Sequence, residues 1–265
     1  MPELPDVEAF KKYLDSTSLH KKITSIEINT PDILKDISTR KLKSRLEGRE
    51  FRASQRHGKY LLVELTGGNW LVMHFGMTGF LKYFKNKDAQ PDHTRALFGF
   101  GNGYYLAYDC QRKLGLLTLV EDADEFIEKK ELGPDAMAPD FDFEVFKDRF
   151  AGKASMAKTA LMDQATIAGI GNVYSDEILF QSKVHPKKPV KYLGDKALKK
   201  LYRSMRRVLR TAANRRAEPE RFPSSYLTRH RYANAQCPRC GHAIKTVTVS
   251  GRTAYYCPAC QKKSE

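Results

Sequence analysis

Two Cys-x-x-Cys pairs near the C-terminus constrain this chain more than any other feature. Cys237-Pro-Arg-Cys240 is followed, after 16 intervening residues, by Cys257-Pro-Ala-Cys260. Paired knuckles at this separation match the four-thiolate tetrahedral site for one Zn²⁺, whose Zn–S bonds run about 2.3 Å. A redox pair and two disulfides are the other readings of the spacing. Metal is favoured because nothing in the chain points to an oxidising compartment. Four protein ligands close the coordination sphere, so this zinc is expected to be structural, and no organic cofactor is expected. Between the pairs, Lys245 to Val249 and Thr253 to Tyr256 flank Ser-Gly-Arg252, which reads as a hairpin with an arginine at its tip. The fifth cysteine, Cys110, reads as an ordinary buried thiol.

The charge is just as uneven. The 265 residues carry a formal +15. From Lys183 to Tyr232 there are 16 Lys or Arg against 3 acidic residues, whereas Glu121 to Glu144 holds 10 acidic residues against Lys129 and Lys130. A charge run is often only a solvated face, but a concentration of this size beside a zinc module favours a polyanion partner. Such binding weakens steeply with salt. No apolar run approaches the roughly 20 residues of a membrane span, and the start lacks a secretory apolar stretch. The expectation is a cytoplasmic protein (bacterial or archaeal nucleoid), or a nuclear one in a eukaryote.

Pro5 to Leu14 reads as a helix: Pro5 suits its first turn, Asp6 and Glu8 complement its dipole, and Val7, Phe10 and Leu14 share a face. Strand-like runs follow at 23–28, 60–65, 70–75, 95–100, 104–108 and 114–120, with Thr-Gly-Gly-Asn and Gly-Asn-Gly turns among them. These predict a sandwich or barrel over the first half. Past Leu132-Gly-Pro-Asp the pattern becomes helical, and Leu198, Leu201, Met205, Val208, Leu209 and Ala212 form one apolar stripe. The fold class is therefore α+β and multidomain. Residues 1–131 are expected to form a β-sandwich with a flanking helix, 132–142 a linker, 143–232 a helical domain and 233–265 the zinc hairpin. Gly169-Ile-Gly-Asn-Val-Tyr174 sits between two helical stretches, where backbone N–H groups could meet a phosphate.

The chemistry is sought at the chain start. Removal of Met1 leaves Pro2 with a free secondary amine, able to attack an aldehyde-like sugar carbon and form an iminium. An α-amino group has a reference pKa of about 7.7–8.0, so it is partly neutral at cellular pH. Proline at position 2 is common, and by itself it carries no function.

Five blocks supply the missing context. They are Met-Pro-Glu-Leu-Pro-Asp-Val-Glu at the start, Gly58-Lys59-Tyr-Leu-Leu, Met73-His-Phe-Gly-Met-Thr-Gly79, Gly169-Ile-Gly-Asn-Val-Tyr174, and Gly251-Arg-Thr followed by Tyr-Cys-Pro-x-Cys-Gln261. In order and spacing the whole chain resembles the formamidopyrimidine-DNA glycosylase / endonuclease VIII family of base-excision repair enzymes. The resemblance implies a two-layered β-sandwich, a helix–two-turns–helix domain and a zinc β-hairpin. It also implies a monomer that acts on double-stranded damaged DNA as a bifunctional glycosylase and AP lyase.

It implies roles residue by residue. Pro2 would attack C1′ of the damaged nucleoside, Glu3 would handle the proton that opens the deoxyribose, and Lys59 would contact the phosphate beside the lesion. Asn172 and Arg252 match the pair gripping the phosphates that flank the flipped nucleotide, while Lys158 and His74 match further backbone contacts. Met77 matches an intercalating wedge, and Arg112 with Leu114 matches an Arg-x-Phe pair that fills the void left by a flipped base.

Three departures bear on specificity. Leu114 replaces the usual Phe, and Asp109-Cys-Gln-Arg112 is irregular against Asp-Pro-Arg. Arg215 to Ala235 is short and Arg-rich, without a recognisable Gly-containing lesion-capping loop. Glu-Leu-Pro at the start favours the formamidopyrimidine branch, whereas the missing loop leans toward oxidised pyrimidines. Two readings of other classes stay open: a non-catalytic zinc-dependent nucleic-acid-binding protein, and a scaffold or ribosome-associated protein that prefers RNA.

Overall fold

The computed structural model describes residues 1–232 and 234–262; Ala233 and residues 263–265, at the margins of the expected zinc module, lie outside the described residues. The chain divides into two compact units, Met1–Pro2 with Asp6–Lys130, and Glu3–Pro5 with Glu131–Glu265. Among the described residues no helix is long and apolar enough to cross a membrane.

In the first unit, strands β1 (Ile23–Ile28), β6 (Thr94–Phe100), β7 (Tyr105–Asp109) and β5 (Phe80–Phe84) form one antiparallel sheet, in that order. A second antiparallel sheet has the order β2 (Phe51–His57), β3 (Tyr60–Leu65), β4 (Trp70–His74) and β8 (Leu116–Val120). Alternate residues from both sheets meet in one core, Ile26, Phe98, Leu106 and Tyr108 from the first and Phe51, Leu61, Val63, Leu71 and Leu117 from the second. This is a β-sandwich, as expected. Helix α1 (Leu4–Ser18) adds Val7 and Leu14 to the same core, and Cys110 is buried in it as read from sequence.

Four elements had no sequence signal. Strand β2 is mostly polar, because among its residues Phe51 alone is fully buried. Strand β5 shows its first residue, Phe80, to solvent. Helix α2 (Thr39–Leu46) is rich in Lys and Arg and buries only Leu42 and Leu46; Ser38 caps it by accepting from the Lys41 N–H. Helix α3 (Ala123–Lys129) lies in the acidic run, capped by Asp122, and covers Leu62 and Val72 with Ala123 and Phe126.

The second unit contains α4 (Phe143–Phe150), α5 (Ala157–Met162), α6 (Asn172–Ser182), α7 (Asp195–Asn214) and the hairpin β9 (Lys245–Val249) and β10 (Arg252–Tyr256). The α7 stripe read from sequence is buried in a core with Phe146, Phe150, Ile178 and Leu179. Residues 132–142, read as a linker, are packed onto this unit: Ala136 and Phe141 are buried, and the Arg206 guanidinium donates to the carbonyls of Ala136 and Ala138. Residues 222–228 are likewise pinned. Phe222, Tyr226 and Leu227 are buried, and Thr228 donates through both its N–H and its hydroxyl to Glu177 at 2.7 Å.

Candidate nucleic-acid interface and catalytic groups

Glu3 is fully buried, and its carboxylate is bound at the start of α6. Oε2 accepts from Gly171 N–H at 2.6 Å and, more weakly, from Tyr174 N–H at 3.3 Å, while Oε1 accepts from Val173 N–H at 2.7 Å. Helix N-termini attract anions because their first N–H groups lack intrahelical partners. The turn expected to offer these groups to a phosphate offers them to Glu3 instead. Its glycines are sterically required. A Cβ on Gly171 would lie 2.4 Å from Glu3 Cδ, and one on Gly169, whose φ is +112°, would lie 2.5 Å from Leu4 Cδ1. The Leu4 N–H also donates to the Gly169 carbonyl at 3.0 Å. Pro2 directly precedes Glu3 in the chain.

Lys158 does not lie where its expected role requires. Its side chain is fully buried, and Nζ donates to the Asn172 carbonyl at 3.0 Å, Ser175 Oγ at 2.8 Å and Asp176 Oδ1 at 2.6 Å. An ammonium has three donors, so none remains for a DNA phosphate. Burial pulls its pKa below the ordinary lysine value, and Asp176 opposes that shift. Lys158 therefore supports the turn that carries Asn172 rather than reaching outward.

Asp176 is a residue that sequence reasoning missed. Its other oxygen, Oδ2, accepts from Arg231 Nε at 2.9 Å and from the Tyr255 N–H of β10 at 3.2 Å. The Arg231 guanidinium also lies 4.8 Å from the centre of the Tyr255 ring. One buried carboxylate thus links α5, α6, the 227–231 turn and the hairpin. The available signal was the acidic pair Asp176-Glu177 directly before the apolar stretch Ile178-Leu-Phe180 of the same helix. Charged residues are rarely buried without partners.

Arg252 is exposed and opens β10, directly after a two-residue turn in which Ser250 has φ 48° and Gly251 φ 73°. Positive φ at both central positions is the type I′ geometry that suits the twist of a hairpin. Ser250 Oγ lies 2.9 Å from Thr159 Oγ1, which ties the tip to α5. A cavity of about 290 Å³ between them is lined by Arg252, Thr159, Met162 and Asp163. Asn172, at the first position of α6, has a buried Oδ1 with no hydrogen-bond partner among the described residues.

In the first unit, Lys59 sits with Gly58 in the two-residue turn between β2 and β3. His74, on β4 opposite Tyr60, accepts the Gly76 N–H at Nδ1 (3.2 Å). Burial, and then the Lys59 charge, lower its pKa to about 4. The ring is therefore neutral at pH 7 with its proton on Nε2, a tautomer assigned from the hydrogen bond. The expected wedge residues are brought together. Met77 is 38% exposed and Leu114 53% exposed, large values for such side chains. Their loops touch backbone to backbone, since a Cβ on Gly76 would lie 2.5 Å from the Leu114 carbonyl. The Arg112 N–H donates to Thr78 Oγ1 at 3.2 Å.

The four thiols fit the metal that the spacing implies. All four Sγ atoms lie within 4.8 Å of one another, with Cys240 to Cys257 and Cys240 to Cys260 at 3.5 Å and Cys237 to Cys260 at 3.9 Å. A tetrahedron with Zn–S bonds of about 2.3 Å has edges of about 3.8 Å. A disulfide at about 2.05 Å is excluded. Ile244, Cys257, Phe180 and Leu227 form a small core beneath the cluster.

Fold and site together are those of the zinc-finger DNA glycosylases of base-excision repair. Three family models match the chain: "Formamidopyrimidine-DNA glycosylase N-terminal domain" over residues 1–117, "Formamidopyrimidine-DNA glycosylase H2TH domain" over 132–223, and "Zinc finger found in FPG and IleRS" over 236–263. A formamidopyrimidine-DNA glycosylase of Protochlamydia amoebophila is 34% identical, over 99% of this chain and 100% of its own length. Lactococcus lactis Fpg, solved with DNA containing N7-benzyl-Fapy-dG, superposes with a TM-score of 0.89 at 29% identity, covering 99% and 100% of the two chains. MutM in complex with carbocyclic 8-oxo-G DNA gives 0.90 at 29% identity, covering 99% and 100%. The chain belongs to the formamidopyrimidine-DNA glycosylase / endonuclease VIII family.

Proposed function

We propose that this glycosylase removes formamidopyrimidine and 8-oxoguanine lesions, and oxidised pyrimidines with them, through a covalent intermediate on Pro2. The observation that carries the reading is the Glu3 carboxylate, fixed by the N–H groups of Gly171 and Val173 one residue from the amine. After loss of Met1, the Pro2 nitrogen lone pair attacks C1′ and the C1′–N bond to the base breaks. Glu3 takes the Pro2 N–H proton as the new bond forms and passes it to the ring oxygen, so the ring opens to an iminium between Pro2 and C1′ while water protonates the departing base. Removal of a C2′ proton then expels the 3′ phosphate, and a second elimination expels the 5′ phosphate. Water finally releases Pro2.

Lys59, His74, Asn172 and Arg252 hold phosphates, with the neutral His74 donating through Nε2. Met77, Arg112 and Leu114 fill the space left by the flipped nucleotide, offsetting lost stacking. One zinc, held by the four cysteines, stabilises the hairpin that presents Arg252, and the enzyme acts as a monomer on duplex DNA. The test is borohydride trapping on lesion and abasic duplexes. A covalent adduct mapping to Pro2 is expected; no adduct from protein shown to lack Met1 would overturn the mechanism.

One observation favours a narrower spectrum. Residues 222–231 are pinned by buried Phe222, Tyr226 and Leu227 and by the bonds of Thr228 and Arg231. Residues so held are not free to close over a purine lesion. A duplex panel of 8-oxoguanine, formamidopyrimidine, thymine glycol and dihydrouracil separates the two spectra.

A further inference from the structure

Asn172 and Lys183 mark opposite ends of α6, the latter as its C-cap with φ 63°, so they stand about 16 Å apart at 1.5 Å per residue. At the Lys183 end the second unit carries a cavity of about 580 Å³, well within the range of ligand pockets. Val184, Leu193 and Ala197 contribute its apolar surface, while Lys183, Lys188, Lys196, Lys200 and Lys262 line it from the end of α6, the following loop, α7 and the C-terminal segment. Lys183, Lys196, Lys200 and Lys262 have no carboxylate partner among the described residues. Burial, and then the charge of Lys183, push the Lys200 pKa down, consistent with like charges gathered around one opening.

Asp195 also faces the cavity, with its carboxylate on Lys147 at 2.7 Å. It sits in the first turn of α7, where it already complements the helix dipole and disfavours a compact phosphate. Carboxylates spread along a peptide suit a dispersed ring of lysines better than one dianion does. Duplex DNA, convex on this scale, would meet the lysines without filling the apolar surface between them.

We propose that this cavity docks an acidic peptide segment of a partner protein, with one apolar side chain inside it and flanking carboxylates on the lysines. The proposal goes beyond the glycosylase reading and does not depend on it. The probe is a fluorescein-labelled peptide of ten residues, Asp and Glu around one central Phe, titrated by anisotropy against the full-length zinc-bound protein. The K183A/K200A double variant is expected to weaken binding at least tenfold, and A197W, which fills the cavity without changing charge, at least as much. Cleavage of lesion DNA should stay within twofold in K183A/K200A.

Three results would each overturn the proposal. One is unchanged peptide affinity in K183A/K200A. Another is equal binding of a peptide carrying Ser in place of Phe, which reduces the interaction to bulk charge. The third is an equal loss of undamaged-duplex affinity in K183A/K200A, which makes the lysines a DNA contact. Should A197W fail to fold, as judged by circular dichroism, the lysine variant and the Ser peptide decide the question.

Discussion

Lys158 Nζ lies 2.6 Å from Asp176 Oδ1, and neither side chain is exposed to solvent. The pair works as a junction rather than a contact with substrate: Lys158 holds the carbonyl of Asn172, while Asp176 holds Arg231 and the backbone of β10. The two groups proposed to grip phosphates, on the α6 turn and on the hairpin, are thus referred to one buried carboxylate.

Asp176→Asn should destabilise the protein by about 3–5 kcal/mol, the usual cost of breaking a buried pair and leaving its partner charged. It strands two cations, Lys158 and Arg231. Lys158→Met should cost less, because Asp176 keeps Arg231 and the Tyr255 N–H. Denaturant unfolding of the two variants checks the order, and equal losses would count against the junction.

His74 makes stability depend on acid. Its pKa is about 4 in the folded chain against 6.5 for a free imidazole, so the unfolded chain binds more protons between those values. Stability therefore falls as pH drops from about 6.5 toward 4, by at most about 3 kcal/mol from this residue. His74→Gln should flatten that part of the stability profile. Above pH 6.5 the ring stays neutral, and its contribution to DNA binding should not change with pH.

Gly171→Ala should separate chemistry from folding. The added methyl would sit 2.4 Å from Glu3 Cδ, so the carboxylate must leave the α6 N–H groups. A fall in base excision of roughly a hundredfold, in the range of a displaced acid–base group, is expected with zinc content unchanged. Single-turnover rates on a lesion duplex measure it.

Arg252→Ala should weaken lesion-duplex binding and reduce the salt slope by about one, with zinc retained. Zinc removal by a chelator should be more severe. The hairpin has only a small apolar core of its own, so its order depends on the four thiolates. Loss of binding on chelation, with the helical dichroism of α4 to α7 retained, is the expected outcome.

Local pattern carried much of the architecture. Alternation marked most of the sandwich strands, the 3.6-residue stripe marked α7, and cysteine spacing marked the metal cluster. It failed for β2, β5, α2 and α3, whose exposed faces dilute the apolar period. The family blocks singled out Pro2, Glu3, Lys59, His74, Asn172 and Arg252 as candidates, because each lies within a distinctive stretch of chain.

By itself, then, the sequence determined the family, the order of the domains and the four-cysteine cluster, since these are written in spacing and short-range periodicity. Only the tertiary structure decided what each polar group touches. It showed that the α6 N–H groups serve Glu3, a bond across 168 residues of chain, and that Lys158 points inward to Asp176. The physical reason is burial: a charged group removed from water must take the partners that packing brings to it, and packing is not written in local sequence.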